Sequence, residues 1–167
     1  MNHITTFVFD VDGVLTDGSI IITTDGQQLR NMNIKDGYAL QLAVKKGYTV
    51  AIISGGTNEG VRMRLNGLGI NNIYLGASDK VDALKDLMYS YGLKSEEILY
   101  MGDDLPDFEV MSLCGMAACP ADAAEDIKRI CHYVSPKNGG KGCVRDVIEQ
   151  TMRVQNKWMN GREDQKW

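Results

Sequence analysis

Residues 5–18 read TTFVFDVDGVLTDG, an apolar run that passes without a break into three carboxylates and two glycines. The run does not alternate, so it suits a strand buried on both faces, the kind found inside a parallel sheet. Four further runs read the same way: YTVAII (48–53), NIYLG (72–76), EILYMG (97–102) and GMAAC (115–119). Amphipathic segments lie between them. DGYALQLAVKKG ends on a helix-terminating Gly, NEGVRMRLNGLG sets Val61, Leu65 and Leu68 on one face, and DKVDALKDLMYSYG does so with Val81, Leu84, Leu87 and Tyr91. Alternating strands and helices predict a doubly wound, Rossmann-like α/β fold around a parallel sheet.

One stretch breaks the alternation. In SIIITTDGQQLRNMNIK (19–35), Asp25-Gly26 separates a β-branched run from a second extended run, predicting a β-hairpin flap after the first strand. From about Thr151 the apolar pattern fades into NKWMNGREDQKW, which predicts a polar, frayed tail over 151–167 behind a single domain of residues 1–150.

The 167 residues fit one core, and 44% hydrophobic with 24% charged residues is ordinary for a globular chain, which argues against disorder and repeats. A formal charge of -4 with no run of five like charges gives no reason to expect nucleic acid as a partner. MNHITTFVF lacks the features of a leader and no run reaches the ~18 apolar residues of a membrane span, so a cytoplasmic protein without a membrane partner is expected. Cys114, Cys119, Cys131 and Cys143 match no zinc spacing and read as reduced core thiols.

Asp10 and Asp12 fall at the C-terminal end of the first strand, where open α/β sheets place their ligands. Two carboxylates so close repel unless a cation or a shared proton relieves them, although they can also simply cap a turn. The fourth strand repeats the pattern, ending in Gly102 and then Asp103, Asp104 and Asp107. Two acidic strand ends can share one hard cation with oxygen ligands, the coordination that Mg²⁺ prefers. Between them AIISGG places Ser54, Gly55 and Gly56 after the second strand, and LGASDK brings Lys80 to a helix start. Alone, these are a turn serine and a surface lysine; together, a hydroxyl, backbone amides and an ammonium make a phosphate pocket.

DxDG, the strand-end Ser, the downstream Lys and GDDxxD, in that order, resemble the haloacid dehalogenase superfamily of aspartyl-phosphate enzymes over residues 5–150. With too few residues for a large insertion, the chain resembles its capless subtype. Within it, DGVLTDG, the short hairpin, KDGYAL and GGKGCVRD are similar to the phosphatases of 3-deoxy-D-manno-octulosonate 8-phosphate, an eight-carbon sugar acid of lipopolysaccharide precursor synthesis. The resemblance implies Asp10 as nucleophile and Asp12 as general acid and base. It implies Mg²⁺ on Asp10, Asp12 (through its carbonyl) and Asp103, oriented by Asp104 and Asp107, with Ser54, Gly55 and Lys80 on the phosphoryl group. Arg64, Gly56, Gly139, Gly140 and Arg145 are implied on the sugar side, and a homotetramer whose flaps and tails cover neighbouring sites is implied as the assembly. Relatives acting on the nine-carbon 9-phosphate carry Glu and Lys where this chain has Gly56 and Gly67, which favours the shorter substrate. A phosphatase of the nine-carbon acid, or a non-catalytic module of the same fold, is the alternative.

Overall fold

In the computed structural model, which describes residues 1–166 and only the backbone at Glu163, six parallel strands form one sheet. The strands are β1 (Thr6–Phe9), β4 (Thr49–Ser54), β5 (Asn72–Leu75), β6 (Ile98–Met101), β7 (Met116–Cys119) and β8 (Tyr133–Val134), in the spatial order β5-β4-β1-β6-β7-β8. β2 (Ile21–Ile22) and β3 (Gln28–Leu29) pair antiparallel, with Ile21 opposite Leu29, as the hairpin expected around Asp25-Gly26. The helices are α1 (Ile34–Lys45), α2 (Glu59–Asn66), α3 (Lys80–Tyr91), α4 (Phe108–Ser112), α5 (Glu125–Ile130) and α6 (Cys143–Val154).

Both sheet faces are covered, which is why the strand sequences do not alternate. Phe7, Phe9, Val50, Ile52, Leu99 and Met101 join α1, α2 and α6 in one core, while Val8, Ala51, Ile53, Ile98 and Tyr100 join α3, α4 and α5 in the other. Successive residues of a strand feed opposite cores. The chain runs outward from β1 through β4 to β5, then returns to β6 on the other side of β1 and runs outward again. The crevice where these directions part, beyond the ends of β1 and β6, is the place where such sheets bind ligands.

Three expectations need correction. The tail is not frayed from Thr151, because α6 continues to Val154 with Thr151 and Met152 buried, and Trp158 is packed into the first core. The stripe Val144, Val147, Ile148, Thr151, Met152 holds helical spacing, and a Thr within it hides its length. The final residue of the predicted tail, Trp167, lies outside the described residues. Tyr91 leaves the buried face of α3 and donates its hydroxyl to Asn72 Oδ1 at 2.7 Å. The short sixth strand, β8, was not expected. All four cysteines are free thiols, three buried and Cys131 half-buried, and among the described residues no helix is long and apolar enough to cross a membrane.

Two of the sequence motifs meet in space. Asp36 of KDGYAL is buried and accepts a hydrogen bond from Arg145 N, at the start of α6, at 2.7 Å. That contact ties α1 to the segment carrying GGKGCVRD.

Candidate active site

β1 ends at Phe9, and Asp10 follows with its N–H donating to Met101 O of β6 at 3.1 Å. The carboxylate is thereby fixed at the crevice between the two strands. Lys80, first residue of α3, reaches it at 3.1 Å and reaches Asp107 at 2.7 Å. Asp107 is fully engaged: Tyr100 OH also donates to its Oδ1 at 3.0 Å, and Asp103 N donates to its Oδ2 at 3.2 Å. Carboxylate oxygens of Asp10, Asp103 and Asp107 lie within 4.8 Å of one another.

Such crowding has an electrostatic signature. Burial, then the Asp107 charge, pushes Asp10 up to about 6 against the pull of Lys80. Burial and the charges of Asp10, Asp107 and Asp104 push Asp103 up to about 7. Although burial acts to lower the Lys80 ammonium, Asp10 and Asp107 carry it above its ordinary value. Three anions facing one ammonium leave a deficit of positive charge that a cation relieves. The donors are all hard oxygens, which fits Mg²⁺. Asp107 already accepts three hydrogen bonds, so Asp10 and Asp103 are the freer carboxylates for a metal.

Glycines make this density possible. Gly13 has φ +88°, and a Cβ there would fall 2.0 Å from Asp103 Oδ2. At Gly102 a Cβ would fall 2.4 Å from Asp107 Cγ. Each is a place where a carboxyl group lies directly on backbone.

The cavity over these groups has a volume of ≈ 450 Å³ and is lined by Asp10, Asp12, Ser54, Gly55, Gly56, Lys80, Asp103, Asp104 and Asp107. Nine of the sequence-derived positions therefore converge. Ser54 is buried at the end of β4, and its Oγ accepts from Gly56 N at 3.2 Å. Asp104 turns aside to accept from Leu105 N at 2.8 Å, capping the turn that presents Asp107. Asp12 is not part of the carboxylate cluster formed by Asp10, Asp103 and Asp107; both its oxygens are taken by Arg30, at 2.8 Å from Nε and 3.1 Å from Nη2.

Arg30 is the residue that sequence reading missed. It follows the last paired residue of the hairpin and belongs to no motif, so the only signal is that Ile21–Leu29 pairing sends the chain back toward the first loop.

Four expected positions do not line this cavity. Gly139 and Gly140 pack behind the Asp12 loop, where a Cβ on Gly139 would stand 1.9 Å from Gly13 O and one on Gly140 2.7 Å from Asp17 N. They brace the loop from outside. Arg64 is exposed in the last turn of α2, with a terminal nitrogen against Gly37 of α1. Arg145 lies on α6 with its guanidinium 5.9 Å from the Tyr38 ring and 5.5 Å from that of Trp158. For Arg64 and Arg145 the residue type suits a carboxylate, but the direction of each helix carries the side chain away from this cavity.

A buried aspartate gripped by lysine at a parallel-sheet switch point, beside oxygen ligands for Mg²⁺, defines a metal-dependent phosphoric monoester hydrolase. Residues 58–148 match the haloacid dehalogenase-like hydrolase family, and the chain belongs to that family. It is 36% identical over 155 residues to 3-deoxy-D-manno-octulosonate 8-phosphate phosphatase of Yersinia pestis, covering 93% of this chain and 83% of that one. It is 37% identical over 155 residues to the Escherichia coli protein of the same description, covering 93% and 82%. The crystal structure of the phosphatase from Moraxella catarrhalis in complex with magnesium ion, phosphate ion and KDO has a TM-score of 0.90 at 35% identity, covering 93% of this chain and 89% of that one.

Proposed function

We propose that this chain hydrolyses 3-deoxy-D-manno-octulosonate 8-phosphate to the free sugar acid and phosphate, in lipopolysaccharide precursor synthesis. The observation that carries this reading is Asp10, held by Lys80 and facing Asp103 at the sheet's switch point, in a chain aligned over 93% of its length with phosphatases of that description.

Asp10 attacks phosphorus as the bond from phosphorus to the sugar oxygen breaks, leaving an aspartyl-phosphate. Asp12 gives its proton to the departing oxygen. In the second half, water attacks phosphorus, Asp12 takes the water's proton, and Asp10 leaves as a carboxylate. Ser54, the amides about Gly55 and Lys80 hold the phosphoryl oxygens while charge redistributes. Asp10, Asp103 and the Asp12 carbonyl hold Mg²⁺, which supplies Lewis-acid neutralisation of charge on the phosphoryl group. Asp107 orients that set through Asp103 N and Lys80.

The substrate test compares two esters with saturating Mg²⁺. Gly56 and Gly67 offer neither carboxylate nor ammonium to hold a carboxylate-binding Arg64, so the eight-carbon ester is expected to exceed the nine-carbon 9-phosphate in kcat/KM. One charge-assisted contact of about 1.5–3 kcal/mol corresponds to roughly one to two decades. EDTA is expected to remove both activities and added Mg²⁺ to restore them. Equal or reversed preference overturns the eight-carbon assignment; activity that survives EDTA overturns the metal's role.

The assembly follows from the hairpin, where Ile21 is 60% and Ile22 71% exposed, with Ile20 and Leu29 beside them. An apolar two-stranded ribbon with open edges is covered in a stable protein. Packing against hairpins of further copies does so. Light scattering is expected to give a homotetramer of about four times 18.5 kDa, and a monomer at micromolar concentration overturns it. A phosphorylated sugar acid does not cross a membrane unaided, so the enzyme shares the compartment in which the ester is made, which we take to be the cytoplasm.

A further inference from the structure

Among the carboxylates of the cavity, Asp12 and Asp104 are the two that burial does not fix, and Asp104 is spent on capping its own turn. Asp10 is buried beneath Lys80 and Asp107 is enclosed by three donors, but the Asp12 side chain is 35% exposed. Its described side-chain hydrogen bonds both come from Arg30. The arginine side chain is only 7% exposed, so it is a seated group rather than a surface cation. Its Nη1 also donates to Gln28 O at 3.3 Å, within its own hairpin. The same carbonyl accepts from Asn58 Nδ2 at 2.7 Å, which fastens the hairpin to the loop between β4 and α2.

A continuous chain of bonds therefore runs from Asn58 through Gln28 and Arg30 to Asp12. The Arg30–Asp12 pair lies over Gly56: a Cβ there would stand 3.4 Å from Arg30 Nη2 and 3.5 Å from Asp12 Oδ2. Residue 56 lines the catalytic cavity, so the pair is held at its rim.

We propose that Arg30 is the positioning residue for Asp12, and that the hairpin, through this one guanidinium, sets the direction in which Asp12 hands its proton to the leaving oxygen. The inference rests on the reading of Asp12 as acid and base given above. A forked guanidinium fixes a carboxylate in rotation as well as in place, which a lysine ammonium cannot do. It also leaves capacity for the reaction, since an ionised carboxylate has about four lone-pair positions and the fork uses two, so another can carry the proton that Asp12 gives up.

This role has a readout that a general loss of structure does not share. An alkyl phosphate leaves as a strongly basic alkoxide and needs the proton of Asp12. p-Nitrophenyl phosphate leaves as a weakly basic phenolate and needs it much less. Because kcat/KM reports only steps up to the first phosphoryl transfer, the later use of Asp12 as base does not enter the comparison.

In Arg30→Ala, kcat/KM for the eight-carbon 8-phosphate is expected to fall about 10- to 100-fold, the scale of a misplaced general acid. The loss on p-nitrophenyl phosphate is expected to be several-fold smaller, so the aryl-to-alkyl ratio rises about tenfold. Arg30→Lys, which keeps the charge without the fork, is expected to recover only part of the loss. Parallel losses on both esters, full rescue by lysine, or no loss at all would each overturn the proposal.

Should Arg30→Ala fail to fold in a thermal melt, Asn58→Ala cuts the latch and leaves the arginine in place. The ratio is then expected to rise in the same direction by a smaller factor, and a flat ratio overturns the proposal. The wild-type measurements separate the two readings. If the wild type ignores the eight-carbon ester and cleaves glycerol phosphate instead, the substrate assignment fails, and the ratio taken with glycerol phosphate still decides the role of Arg30. A wild type that cleaves neither alkyl nor aryl esters overturns both.

Discussion

Asp10→Asn is expected to lower phosphate release from every ester by about 10⁴-fold or more, the scale seen when a covalent nucleophile is removed. The amide is nearly isosteric with the carboxyl group, so the site should keep its shape while losing the one oxygen able to form the aspartyl-phosphate. Stability should not fall with activity. In the metal-free fold Asp10 holds its proton up to about pH 6, whereas the unfolded chain releases it near 3.8. The native state therefore binds more protons across that window, and stability drops as pH rises through it. An amide escapes that cost, so the variant without Mg²⁺ at pH 7 should melt no lower than the wild type. The checks are phosphate release, mass spectrometry for a phosphorylated chain, and a thermal melt. A variant retaining a substantial fraction of turnover would rule out Asp10 as nucleophile.

Gly13→Ala should produce the second large effect without replacing a titratable group. The backbone at φ +88° strains any side chain, by about 1–3 kcal/mol, and the new methyl would occupy the space of Asp103 Oδ2. Asp103 must then swing away from Asp10. The concentration of Mg²⁺ giving half-maximal activity is expected to rise about 10- to 100-fold, the range associated with disturbing the shell around a metal. Titration of activity against Mg²⁺ measures it, and a midpoint within twofold of the wild type would mean that Asp103 does not hold the ion.

What the sequence displays depends on how local the cause is. The strands of the central sheet are legible because both faces are buried, so adjacent Ile52 and Ile53 can serve different cores and the run stays apolar. β8 is not legible, since Tyr133–Val134 is two residues long and follows a charged helix. Asp10, Ser54, Lys80 and Asp103 announce themselves because each stands where a strand or turn gives way to the next element. Arg30 does not, because its meaning comes from a partner 18 positions away that only the folded hairpin brings near. Arg145 shows the opposite failure: a conspicuous motif whose side chain goes to Tyr38 and Trp158. The last turn of α6 is concealed by polar composition, and burial of Trp158 is a tertiary fact with no local pattern.

The bracing of the Asp12 loop by Gly139 and Gly140 has a consequence for the order in which the protein is made. Gly140 N donates to Val14 O at 2.9 Å and Cys143 Sγ to the same oxygen at 3.2 Å, the latter joining residues 129 positions apart. Contacts of such separation form only after much of the entropy of the intervening chain has been lost. While the ribosome is still adding the middle of the chain, the nucleophile and its neighbouring acid have already emerged, but the wall behind Gly13 has not been synthesised. The first loop translated is therefore among the last to acquire its final shape, and it acquires it from residues that stand outside the cavity wall.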